Sequence, residues 1–157
     1  MNKKTHPLIT SLLSVALIAI AGCGGSNDSS DATAPTKAAF VKEADAICAK
    51  ADEAKIAGMR AFLRDNDSVD QMSRSELAAV VVDLGIPPIE AEAKELRSLT
   101  PPLGDEEKWD EMLSQIDTGI AEAKAHPEDL TEEAKNPFKQ ANAEGKAYGF
   151  VRCAEFS

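Results

Sequence analysis

The stretch DEEKWDEMLSQIDTGIAEAKA, Asp105 to Ala125, decides the fold. Trp109, Met112, Leu113, Ile116, Ile120 and Ala123 recur at spacings of three and four. That period places all six on one face of a helix and leaves the charged residues on the other. The acids Asp105, Glu106 and Glu107 stand in the first turn, where the helix dipole favours negative charge. His126-Pro127 stops the helix, because proline has no N–H to donate and its ring clashes with the preceding turn.

The same period governs the flanking segments. A first helix is expected from about Lys37 to Arg64, with Thr36 as N-cap and Phe40, Ala44, Ile47, Ala51, Ala54, Gly58 and Phe62 on one face. RDNDSVDQ, residues 64–71, breaks the pattern. Ser73-Arg74-Ser75-Glu76 is a capping box that opens a second helix, with Met72 and Leu77 placed for a hydrophobic staple. Its stripe of Leu77, Val80, Val81 and Leu84 is offset from a later one of Ile89, Ala93 and Leu96. Gly85, Pro87 and Pro88 lie between them, so either a proline kink or two successive helices is expected. TPP at 100–102 ends the segment. A short helical turn near Thr131 to Lys135 and a fourth helix starting at Asn136-Pro137 complete the series. Phe138, Ala141, Gly145 and Gly149 share a face leading to Cys153, and two glycines four apart point to a helix packed very close. No segment shows sustained period-2 alternation. The expected class is all-α, an antiparallel four-helix bundle with a proline-kinked second helix.

The N-terminus reads as an address. Lys3 and Lys4 precede an apolar run from Leu8 to Ile20, the pattern of a signal peptide and too short for a membrane span of about 20 apolar residues. Ile20-Ala21-Gly22-Cys23 resembles the bacterial lipobox, in which the cysteine is lipidated and becomes the mature N-terminus. The resemblance implies a signal peptide over residues 1–22, acyl chains of the palmitate kind on Cys23, and stable anchoring on the extracytoplasmic side of the membrane. Residues 24–35 are rich in Gly, Ser, Asp and Thr and suit a flexible tether. At about 5–6 Å times the square root of its length, the tether spans roughly 20 Å. The organisation expected is therefore 1–22 signal peptide, 23–35 lipidated cysteine and tether, and 36–157 helical domain.

Charge and cysteines bound the rest. The chain carries a formal charge of −10, which becomes −12 when residues 1–22, with Lys3 and Lys4 and no acid, are removed. Such a surface disfavours nucleic acid and anionic lipid headgroups. Three cysteines are present, and lipidation of Cys23 leaves Cys48 and Cys153 in a disulfide-permissive environment. They are too far apart for a C-x-x-C redox motif, and two isolated cysteines do not make a zinc site. Up-down-up-down topology brings the end of the fourth helix beside the early turns of the first, so one Cys48–Cys153 disulfide closing the bundle is expected.

FVKEADAIC (40–48), LRSLTPP (96–102), NPFKQAN (136–142) and AYGFVRC (147–153) together resemble a pattern in small secreted bacterial lipoproteins of unassigned function. The resemblance implies a disulfide-closed helical domain behind a lipid anchor, and no activity.

Chemistry-bearing residues are few. Glu122 and His126 are four apart, but His126 abuts a proline and is the one histidine after Cys23. A histidine at a helix C-terminus, favoured by the dipole, accounts for it better than half a metal site. Asp65, Asp67 and Glu76 fall at positions 1, 3 and 12 of an EF-hand-like loop, yet Val69 occupies position 5 and Asp70 the position of the turn glycine. A serine or cysteine nucleophile would have only His126 as a partner. The reading is a non-enzymatic module without metal or cofactor, anchored through Cys23 and acting on a protein partner. The alternative is a small-ligand or metal-binding lipoprotein with a pocket between helices near Gly85 to Pro88.

Overall fold

The computed structural model describes residues 34–131 and 135–156. The expected signal peptide, Cys23 and most of the expected tether lie outside these residues, as does most of the turn expected near Thr131 to Lys135. The described chain is all-helical: α1 (Lys37–Asp65), α2 (Arg74–Leu96), α3 (Glu106–Ala125) and α4 (Lys139–Tyr148), with short 3-10 turns at Val69–Gln71 and Pro127–Thr131. Among the described residues there is no strand. No helix among them is long and apolar enough to cross a membrane.

Local chemistry sets the helix starts. Thr36 accepts the Ala39 N–H on its hydroxyl at the head of α1. At α2 the capping box forms in both directions: Ser73 Oγ accepts the Glu76 N–H, and Glu76 Oε2 accepts the Ser73 N–H at 2.8 Å. The Ser73 hydroxyl also donates to Glu76 Oε2 at 2.6 Å, and that bond, then the one from the Ser73 N–H, holds the Glu76 carboxyl below its usual range. The helix then runs unbroken through Pro87 and Pro88 to Leu96, so two successive helices are not formed.

The core is built on the α3 stripe. Trp109, Met112, Leu113, Ile116, Ile120 and Ala123 are all buried, as their spacing requires. Against them pack Phe40, Ala44 and Cys48 of α1, then Ile86, Ile89, Ala93 and Leu96 of α2. Phe138, Ala141, Phe150, Cys153, Ala154 and Phe156 close the cluster from the C-terminal side. The α1 stripe is buried only as far as Ala51; Ala54 is exposed and Phe62 half-buried. The early α2 stripe behaves likewise, with Leu77 exposed and Val80, Val81 and Leu84 only partly covered. The hydrophobic staple expected at Met72 and Leu77 thus leaves Leu77 in solvent. The physical reason is length: α1 and α2 extend past the region where α3 and the C-terminal residues can cover them.

Two details of α4 differ from expectation. Asn136 does not cap the helix; its side chain accepts the Phe138 N–H at 2.8 Å across a turn, and the helix starts at Lys139. Gly149 is not inside the helix but ends it, in the left-handed conformation at φ 113°. There its N–H and that of Phe150 both reach the Gly145 carbonyl at 3.0 Å. Gly145 does mark a close approach, but the approaching chain is not a helix. A Cβ on Gly145 would lie 2.8 Å from the Cys153 carbonyl oxygen. An equally tight contact lies at Gly119 of α3, where a Cβ would lie 2.5 Å from the ring of Phe138, the residue just before α4.

Candidate functional site

Cys48 and Cys153 form a disulfide across 105 residues, with Cα atoms 5.3 Å apart. It ties α1 to the irregular C-terminal segment, and both cysteines are buried. Asp45, one turn before Cys48, accepts the backbone N–H groups of Val151, Arg152 and Cys153 at 2.8–3.2 Å. Three donors that no helix or strand satisfies thus find one carboxylate. Asn142 fastens the end of the segment by bonding both the N–H and the C=O of Phe156 at 2.7 and 2.8 Å.

Glu92 of α2 lies against this junction. It is the one charged side chain buried among the described residues, at 4 % exposure. One carboxylate oxygen and the two cysteine sulfurs lie within 4.8 Å of one another. Removal from water pushes the Glu92 carboxyl up to about 8; the Lys55 charge opposes the rise and Asp52 adds to it. Lys55 is itself paired with Asp52 at 3.1 Å, and Asp52 also takes Arg152 at 2.6 Å. Glu92 is therefore mainly uncharged at neutral pH. Nothing in the sequence singles it out, because one glutamate among Glu90, Glu92 and Glu95 carries no distinguishing signal.

Two clefts flank the core. The first, about 310 Å³, is walled by Trp109, Met112, Tyr148 and Phe150, with Lys37 and Lys108 at its rim. Tyr148 stacks on Phe150 at 4.8 Å, Phe40 meets Trp109 edge-on at 4.8 Å, and Lys37 Nζ stands 4.1 Å above the Tyr148 ring. The Tyr148 hydroxyl donates to Asp105 at 2.8 Å. Burial and that partner hold its proton well above the ordinary tyrosine range. The same bond, then that from Lys108, holds Asp105 below the usual carboxylate range. Trp109 Nε1 is buried with no hydrogen-bond partner. The second cleft, about 380 Å³, lies between α1 and α2. Its walls are Ile56, Met59, Val81 and Leu84, and Gly85 is at its edge, near where the alternative reading expects a pocket.

The other candidate residues lie apart from these features. His126 is the exposed C-cap of α3, and its backbone N–H reaches the Glu122 carbonyl at 2.8 Å. Asp65 ends α1 and pairs with Arg64, while Glu76 serves the capping box. Among the described residues, the group of three potential metal ligands that converges is Cys48, Glu92 and Cys153. Comparison with protein-family models, with curated proteins and with solved structures returns no match.

Proposed function

We propose that this chain is a lipid-anchored, extracytoplasmic, non-enzymatic module that acts by binding a protein partner. In this reading residues 1–22 direct export, Cys23 carries the acyl chains, and the tether holds an antiparallel four-helix bundle, with α2 bent at Pro87-Pro88, outside the membrane. One observation carries the binding role: a closed core coexists with uncovered apolar side chains on the outer halves of α1 and α2. Ile56 is 48 % exposed, Leu63 50 % and Leu77 37 %. Ile56 and Leu63 stand seven apart on one face of α1, and Ile56 lines a cleft with Met59, Val81 and Leu84, which supports a contact face there, whereas Leu103 and Val151 are exposed singly elsewhere.

The test is in-membrane cross-linking of the anchored protein. Parent chain should give a discrete cross-linked product that Ile56→Lys with Leu63→Lys abolishes, while thermal stability stays within about 0.5 kcal/mol, as expected for surface positions. An unchanged product would overturn the contact face. Cys23→Ser should move the protein from membrane to soluble fraction; a variant that stays bound refutes the anchor.

The aromatic cleft favours a second reading, a small-ligand-binding lipoprotein. Trp109, Tyr148 and Phe150 are among its lining residues, and the buried Trp109 N–H has no hydrogen-bond acceptor. Trp109 is the single tryptophan, so its fluorescence reports directly on occupancy. A saturable change with an envelope extract, lost in Tyr148→Ala, would place this reading first.

A further inference from the structure

We infer that Cys48, Cys153 and Glu92, when the disulfide is reduced, form a buried site for a thiophilic divalent cation of the zinc class. The two sulfurs are bonded to each other in the disulfide, a Glu92 carboxylate oxygen lies within 4.8 Å of both, and all three residues are buried. They come from α1, α2 and the C-terminal segment, so no sequence motif announces them. A tetrahedral cation with sulfur at about 2.3 Å separates two thiolates by about 3.8 Å. Cα atoms 5.3 Å apart accommodate that spread. The Ala44 carbonyl oxygen lies 3.1 Å from Cys153 Sγ.

Glu92 is the feature that the disulfide leaves without a purpose. In the carboxylate form that ligation requires, a group withdrawn from water is costly unless an opposite charge meets it. The nearby cations are already engaged, since Asp52 takes both Lys55 and Arg152. A cation between the two sulfurs supplies that charge, and two thiolates with one carboxylate favour a zinc-class ion over calcium or magnesium.

The chemistry balances in two steps. A dithiol reductant gives two electrons and two protons to the disulfide, yielding two thiols and its own disulfide. The cation then displaces three protons, two from the thiols and one from the Glu92 carboxyl, forming two metal–sulfur bonds and one metal–oxygen bond to Glu92. Disulfide and cation are alternative closures of one junction, and each ties α1 to the C-terminal segment.

The probe is Cd²⁺ added to the full chain carrying Cys23→Ser, so that two thiols remain. The chain is reduced in denaturant, refolded without oxygen, and followed by the ultraviolet thiolate-to-cadmium band and by circular dichroism. The expected result is one Cd²⁺ per chain with helical structure restored. Cys48→Ser and Cys153→Ser should lose the band, and Glu92→Gln should keep it with affinity at least tenfold weaker. The oxidised chain should show no band and controls for binding to surface acids. Absence of the band, an unfolded reduced chain in the presence of Cd²⁺, or equal affinity in Glu92→Gln would overturn the site.

Discussion

Asp45 on α1 accepts the backbone N–H of Cys153 at 3.0 Å, from 108 residues away in the sequence. The same carboxylate holds Val151 and Arg152, so the disulfide sits in a junction that hydrogen bonds have already aligned. Asp45→Ala should cost about 2–3 kcal/mol, the range for charged hydrogen bonds whose partners are left unmet. Asp45→Asn should recover part of it, since an amide oxygen still accepts. Chemical denaturation of the oxidised chain measures both.

The disulfide itself should be worth more. Closing a loop of 105 residues restricts the unfolded chain by roughly 4.7 kcal/mol on the loop-entropy model. Alkylation of unreduced, unfolded protein followed by mass measurement should label neither Cys48 nor Cys153. Two labelled thiols there would contradict the pairing.

Glycine positions separate by what approaches them. Gly145→Ala should destabilise by about 1–3 kcal/mol, because its Cβ meets the Cys153 carbonyl and Ala154 backbone, which cannot step aside. Gly58→Ala has open space within α1 and should instead stabilise by about 0.5–1 kcal/mol. Thermal melts of the two variants should therefore shift in opposite directions.

Glu92 predicts a pH dependence with a definite sign. Its carboxyl is raised in the folded chain from 4.5 to about 8, so the folded state keeps a proton that the unfolded state releases. Stability is fullest below about pH 4.5 in this respect and falls as pH rises, levelling off above about 8. Charges facing the group, Lys55 and Asp52, act in opposite directions and do not reverse the sign. Glu92→Gln should remove this slope. Relative to the parent, the oxidised variant should gain roughly 3–5 kcal/mol between about pH 5 and about pH 9, since each tenfold change in proton affinity is worth about 1.4 kcal/mol. Parallel curves for the two proteins would show that Glu92 is not desolvated.

Much of the secondary structure was legible because local rules govern it. The Ser73–Glu76 box needs only four adjacent residues, and the α3 stripe needs only its own period. The Cys48–Cys153 pairing is legible from cysteine count and up-down topology together, on the reading that Cys23 carries the lipid. What the helical period cannot encode is where along a helix its neighbours end. Ala51 and Ala54 belong to one stripe, yet the first is buried and the second exposed.

Tertiary packing decided the rest, since burial is set by what comes near and not by residue type. Gly119 admits the Phe138 ring, a contact that no spacing rule reveals, while Gly149 proved to be a helix end. Glu90, Glu92 and Glu95 are equivalent in sequence, but α1 and the C-terminal segment enclose Glu92 and leave the other two in water. Residues 48, 92 and 153 converge only because α1, α2 and the C-terminal segment meet at one junction. Local physics wrote the helices into the chain; the candidate site arose from contacts between segments whose separation along the chain conceals them.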